Sequence, residues 1–246
     1  MNEKNPQFIL INKPAGWTSF DVVGFIRKKA RIEHPENKKI KVGHAGTLDP
    51  FATGLLIVGV GRESTKRLDE FKGMPKTYIT TIQLGAVSDT YDIDGVIIPT
   101  VAPTVILSKA KDPLNSEREG ILRFTQNDIE KVLKLFTGPQ KQIPPMFSAK
   151  KINGKKLYEL ARQGITIERK PSDIEIYEIN LLEYTWPILK IEVKCSAGTY
   201  IRSLANDIGQ KLGVGAYCSA LTRTAIGDYK LENALSPDDV DVSKDI

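Results

Sequence analysis

Gly43-His44-Ala45-Gly46-Thr47-Leu48-Asp49-Pro50-Phe51-Ala52-Thr53-Gly54 sets one acidic side chain, Asp49, among small, turn-forming and apolar residues. A carboxyl with an ordinary pKa near ~3.9 is ionised at neutral pH and can act as a nucleophile without metal help. Pro50 biases Asp49 toward an extended backbone, which can point the carboxylate outward. Glycines at 43, 46 and 54 permit tight turns and the close approach of a substrate. Taken by itself, the stretch also reads as a plain Asp-Pro turn. Immediately after it, Leu55-Leu56-Ile57-Val58-Gly59-Val60 is too apolar for a surface element and predicts a central strand.

The chain around this stretch has 246 residues, enough for one large domain or a domain with a small appendage. A hydrophobic fraction of 41% and a charged fraction of 26% are those of an ordinary globular protein. The 35 basic and 30 acidic residues leave a net charge of +5, a weak bulk signal for a polyanionic partner. The local signal is stronger. Residues 141–170 carry Lys141, Lys150, Lys151, Lys155, Lys156, Arg162, Arg169 and Lys170 against only Glu159 and Glu168. Such a run is either an RNA footprint or a basic solvated surface. Cys195 and Cys218 form no disulfide framework and lack the companions of a zinc site. Cys195, in an alternating apolar run, is expected to be a buried thiol. Neither His34 nor His44 has the neighbours of a metal centre. Met1 to Gln7 is polar and resembles neither a signal peptide nor a membrane span, so a soluble, cytoplasmic protein is expected.

Along the chain, residues 1–7 read as a flexible tail and Phe8 to Ile11 as a short buried strand. Ser19 or Thr18 can cap a helix whose apolar stripe is Val22, Val23, Ile26 and Ala30, with Asp21 in its first turn. Lys28 to Lys41 is charged and is expected to be an exposed loop, with an insertion near 30–41. Thr65 to Phe71 suggests a short helix and Lys76 to Leu84 a strand. Residues 88–96 hold three aspartates without EF-hand spacing, and a solvated loop is expected there. Residues 105–120 resemble an insertion. Thr125 and Asp128 open a helix through Ile129, Val132, Leu133 and Phe136. A short stripe of Leu157, Leu160 and Ala161 ends at Gly164, paired strands follow around Ile174–Ile179 and Ile191–Cys195, and a last helix runs from about Tyr200 to Leu212. Strands and helices intersperse without a regular βαβ repeat, so one mixed α/β domain is expected over 8–230, with a short tail over 231–246.

Four further stretches accompany the Asp49 segment: Lys13-Pro14-Ala15-Gly16-Trp17-Thr18-Ser19, Lys76-Thr77-Tyr78, Lys151-Ile152-Asn153-Gly154-Lys155-Lys156-Leu157-Tyr158-Glu159-Leu160-Ala161-Arg162, and Ser196-Ala197-Gly198-Thr199-Tyr200-Ile201-Arg202-Ser203-Leu204. In this order, over roughly residues 8–227, they resemble the motifs of the TruB family, the tRNA pseudouridine synthases that modify the T-loop uridine. The resemblance implies a pseudouridine synthase catalytic fold, α/β of the mixed α+β kind. Its central mixed, mainly antiparallel sheet would carry flanking helices. It also implies an intramolecular transferase (an isomerase) in which Asp49 attacks the target nucleotide and the glycosidic bond opens. The uracil then turns and rejoins the ribose through carbon 5.

By the same resemblance, Tyr78 lies against the flipped uracil, Arg202 pairs with and orients Asp49, and Leu221 supplies an apolar wall. His44 contacts RNA and helps hold the flipped-out conformation, although as a sequence feature it also reads as an ordinary turn residue. Lys13, Thr18, Lys150, Lys151, Lys155 and Lys156 are the remaining RNA-binding or base-positioning candidates. The expected partner is the T-stem and T-loop of tRNA, with no metal, no organic cofactor, no membrane and no obligatory protein partner, and the chain is expected to be monomeric. A full C-terminal domain of the PUA type, carried by larger family members, is expected to be absent. Two other readings remain: a noncatalytic RNA-binding or tRNA-folding protein on the same scaffold, and a synthase guided by a separate RNA and protein partners.

Overall fold

A computed structural model describes residues 7–37, 39–100, 124–148, 150–152 and 154–243. The expected insertion at 105–120 and residues 1–6 lie outside the described residues. In chain order the elements are β1 (Gln7–Lys13), α1 (Ser19–Glu33), β2 (Val42–Ala45), β3 (Thr53–Val60), α2 (Arg62–Arg67), α3 (Asp69–Lys72), β4 (Lys76–Leu84), β5 (Ala86–Ser88) and β6 (Ile97–Pro99). Then come α4 (Gln126–Lys134), β7 (Gly138–Gln142), β8 (Lys151–Ile152), β9 (Lys155–Lys156), α5 (Leu157–Ala161), β10 (Ser172–Thr185), β11 (Ile188–Cys195), α6 (Ile201–Leu212), β12 (Ala216–Ile226) and β13 (Tyr229–Lys230). The large sheet has nine strands among the described residues, in the order β1-β3-β12-β4-β11-β10-β7, with β2 also on β3 and β13 on β12. The chain divides into two compact units: Met1–Ile79 with Val193–Gly198 and Ala220–Ile246, and Thr80–Glu192 with Thr199–Ser219.

The first unit is built around β3. β1 pairs antiparallel along it from Gln7↔Val60 to Lys13↔Gly54. β2 pairs antiparallel with its far half, Val42↔Val60 to Ala45↔Ile57, and β12 pairs parallel at Thr222↔Thr53 and Arg223↔Gly54. A strand has two edges, so β2 and β12 share the one that β1 leaves. Alternation sends Leu56, Val58 and Val60 to a cluster with Ile11, Val22, Val23, Ile26 and Ala30, and sends Leu55 and Ile57 to another with Leu68, Phe71 and Ile226. Coverage on both faces explains why 55–60 reads as an unbroken apolar run. At Gly54, φ is +103° and an added Cβ would stand 2.4 Å from the Arg223 carbonyl oxygen, so the parallel pairing requires glycine there.

α1 starts at an N-cap formed by Thr18, whose hydroxyl accepts from the Asp21 N–H while Asp21 accepts from the Thr18 N–H. The helix continues through Glu33, from Lys28 on within the stretch expected to be loop. Ala30, fully buried in the core cluster, holds that turn down despite its charged neighbours. The expected helix over Thr65–Phe71 is two short helices, α2 and α3. The segment expected as a tail packs on this unit: Leu235 exchanges backbone bonds with Leu10 and Asn12, and Val240 and Val242 are buried in the α1 cluster.

In the second unit β7 and β10 pair antiparallel, β5 and β6 form a small hairpin, and β8 and β9 another. α4 begins with a capping box between Thr125 and Asp128. α6 buries Ile201, Leu204, Ala205 and Ile208 and ends at Gly213 in the left-handed region. The 88–96 stretch departs from the solvated loop expected of it, because Asp92 is buried. Its carboxylate lies 2.9 Å from the Arg202 guanidinium, which neutralises the charge inside the unit.

Candidate active site

The Asp49 loop of the first unit is held at successive backbone groups. Arg223 Nη2 donates to the Gly46 carbonyl at 3.0 Å, and Gly46 takes φ +79°, which favours glycine. The buried Ser19 hydroxyl serves both backbone groups of Leu48, accepting from its N–H at 2.9 Å and donating to its carbonyl at 3.2 Å. The Pro50 carbonyl accepts from the Gly16 N–H at 2.9 Å and from Lys13 Nζ at 3.2 Å. The Lys13-to-Ser19 stretch thus clamps the loop on both sides of Asp49. Asp49 itself is half-buried.

Lys13, an RNA-binding or base-positioning candidate, is fully buried, and its ammonium also donates to the carbonyls of Trp17 at 2.6 Å and Pro14 at 2.9 Å. Burial lowers its pKa to about 8; the Asp49 carboxylate opposes the shift and Arg223 adds to it. Thr18 spends its hydroxyl on the α1 cap. Lys76, another buried lysine, donates to the carbonyls of Phe71, Lys72 and Met74, and burial also takes it to about 8. Two residues on, the Tyr78 hydroxyl is deeply enclosed. Burial raises its pKa, while the positive charge of Arg223 pulls the other way and Asp49 adds to the rise. Leu221 is buried on β12, two residues before Arg223.

His44 sits on β2 with its ring edge-on to Phe20 at 6.3 Å. Burial, then Arg223 and Lys72, lower its pKa, so the imidazole is neutral at pH 7. Its buried Nδ1 has no hydrogen-bond partner among the described residues. Beside it opens a groove of about 620 Å³ whose lining includes Phe20, Arg27, Arg31, Lys41, Lys72 and Asp69.

In the second unit, the Arg202 guanidinium pairs with Asp92 and donates to the carbonyls of Thr90 at 3.1 Å and Phe147 at 2.7 Å. Lys150 donates to Ser172 Oγ at 2.6 Å. Lys155 is exposed, and Lys156 lies over the Tyr158 ring and near Glu159. The backbone of Lys151 pairs with Lys156 in the β8–β9 hairpin. Both cysteines are buried. Among the described residues there is no group of three or more His, Cys, Asp or Glu able to hold a metal ion, and no helix long and apolar enough to cross a membrane.

Sequence reasoning passed over three residues that shape these sites: Ser19 as more than a cap, Asp92, and Arg223. A signal existed for the last. Arg223 follows Leu221 at strand spacing and precedes Ala225, so alternation already turned it inward.

The geometry is that of a carboxylate held on a clamped loop beside an enclosed tyrosine, and the comparisons name its class: pseudouridylate synthases. A family model described as TruB family pseudouridylate synthase (N terminal domain) matches residues 31–201. The chain belongs to the TruB family. Proteins named tRNA pseudouridine synthase B resemble it closely. That of Bacteroides fragilis is 47% identical over 237 residues, 96% of this chain and 93% of that protein. That of Parabacteroides distasonis is 46% identical over 235 residues, 96% and 92%. That of Syntrophomonas wolfei is 46% identical over 235 residues, 94% and 70%. Among solved structures, a Cbf5-Nop10-Gar1 complex matches with a TM-score of 0.67 and 27% identity over 96% of this chain and 53% of that chain. An H/ACA RNP bound to a substrate RNA containing 2'-deoxyuridine matches with 0.61 and 26%, over 94% and 51%. This chain spans about half the length of each of those solved chains.

Proposed function

We propose that this protein is a tRNA pseudouridine synthase, an isomerase that converts the T-loop uridine at tRNA position 55 to pseudouridine. The relatives named tRNA pseudouridine synthase B, similar over nearly the whole chain, support the activity and the tRNA substrate. The observation that carries the site is the clamped Asp49 loop, fixed through Gly46, Leu48 and Pro50. A nucleophile held in this way needs little reorganisation when it attacks. The N1–C1′ bond breaks as the Asp49 carboxylate engages the nucleotide. The uracil turns, C5 bonds to C1′, the C5 proton leaves and N1 gains one, so atoms and electrons balance without a redox partner. Tyr78 faces the base and Leu221 walls the pocket.

Neutral His44, with Nδ1 open to a new bond, contacts the RNA where the base has been extruded. The cations of the groove beside it suit phosphates, as does the Lys155–Lys156 hairpin. The protein acts in the cytoplasm, as a monomer, without guide RNA or protein partner. The test is to incubate wild type and Asp49→Ala with an unmodified tRNA transcript and map pseudouridine at single-nucleotide resolution. Conversion at the T-loop uridine by wild type alone is expected. Conversion by both would remove Asp49 as nucleophile. Conversion by neither, with binding retained, would favour the noncatalytic or the guided reading.

A further inference from the structure

Arg223 is 1% exposed, and its charge is permanent. Burying a guanidinium is costly unless every donor finds geometry that suits it. Nε donates to the Leu55 carbonyl at 2.8 Å on β3 and Nη2 to the Gly46 carbonyl at 3.0 Å at the head of the Asp49 loop, and the guanidinium is near enough to the Tyr78 hydroxyl on β4 to act on it electrostatically. The backbone of the same residue pairs with Gly54, where the close approach leaves no room for a Cβ. One rigid, planar group therefore joins the strand that follows the loop to the loop itself, and sets its charge beside the tyrosine. The positive charge of Arg223 is also felt at Lys13, Lys76, His44 and Tyr78. A cation needed only to fill space would be replaced at less cost by an apolar side chain.

We propose that Arg223 is a positioning residue of the uridine isomerisation, fixing the Asp49 loop through the Gly46 carbonyl and the Tyr78 hydroxyl through the same guanidinium so that the two meet the base in a fixed relation. It touches neither nucleotide nor base; it acts through the other two. The inference rests on the reading of Asp49 and Tyr78 as the reacting pair.

Arg223→Lys tests it, because lysine keeps the charge but cannot hold the Leu55 and Gly46 carbonyls in one plane. Three quantities are measured: the thermal midpoint, the Kd for an unmodified tRNA transcript, and the single-turnover rate of pseudouridine formation. A fluorinated tyrosine placed at position 78 in both backgrounds reports by ¹⁹F NMR whether the ring keeps its environment. The expected result is a folded variant with Kd within about twofold of wild type, a rate at least roughly tenfold lower, and a shifted or broadened resonance at 78. An unchanged rate overturns the proposal. So does a lower rate with an unmoved resonance, which would leave Arg223 a structural role alone. If Arg223→Lys does not fold, Gly46→Ala takes its place, since at φ +79° an alanine is strained and shifts the very carbonyl that Arg223 holds. A resonance at 78 that moves in that variant supports the coupling, and one that does not move overturns it. Failure of wild type to convert the transcript would sink the parent reading instead, and is seen in the same assay.

Discussion

Lys13 and Lys76 stand where lysine is rarely found, enclosed and bonded to three carbonyls each. Burial takes both from an ordinary 10.5 to about 8, so the folded protein sheds their protons at a pH where the unfolded chain still holds them. Because the unfolded state then binds more protons, these groups make folding more favourable as pH rises from about 8 toward 10.5. Lys13→Met removes one of them, and a plot of unfolding free energy against pH over that window is expected to rise less steeply than for wild type. Parallel curves would show that Lys13 keeps an ordinary pKa. The sequence displayed these lysines but not their burial. Lys-Pro-Ala-Gly reads as a polar turn, and only the carbonyls converging from Trp17 and Pro50 make it an interior. Asp92 was hidden in the same way, among turn residues whose buried partner lies 110 positions away.

Among the elements, α1 links sequence to site most directly. Thr18 caps it and Ser19, one position on, reaches back to Leu48, so adjacent hydroxyls do separate jobs. Thr18→Ala is expected to cost about 1 kcal/mol of stability and leave single-turnover rate near wild type. Ser19→Ala strands both backbone groups of Leu48, a loss of about 1–3 kcal/mol, and is expected to lower the rate more than the tRNA affinity because Leu48 adjoins Asp49. Chemical denaturation and single-turnover assays on the two variants separate cap from clamp; equal rates would deny Ser19 its clamping role. Elements with a clean period were legible: Lys76–Leu84 is a strand over the residues that alternation marked. Boundaries set by tertiary burial were not, as the run of α1 from Lys28 to Glu33 shows, since Ala30 alone anchors a charged stretch.

At the scale of the molecule, a net charge of +5 understates two concentrated surfaces. The lysines of 150–156 are consecutive enough to be seen in a window of sequence. Arg27, Arg31, Lys41 and Lys72 come from α1, the loop before β2, and α3, and only folding gathers them around one groove. If both surfaces hold phosphates, Arg27→Glu with Arg31→Glu, and separately Lys155→Glu with Lys156→Glu, should weaken tRNA binding. Each pair should also flatten the slope of log K against log salt by about one for every phosphate no longer neutralised. An unchanged slope in either pair would remove that surface from the footprint. The class of fold was legible because motifs and apolar periods agree along most of the chain; its division into two units was not, since the first gathers segments from both ends of the sequence. That interleaving orders events during synthesis. The cluster seeded by Ile11 and Val22 stays incomplete until Val240 and Val242 leave the ribosome, roughly 10–45 s later at bacterial-scale elongation of about 5–20 residues per second. The nascent chain therefore carries the apolar β3 with the Thr53–Gly54 end of one edge and part of one face unfilled for most of its translation, an interval in which a holdase chaperone has something to cover.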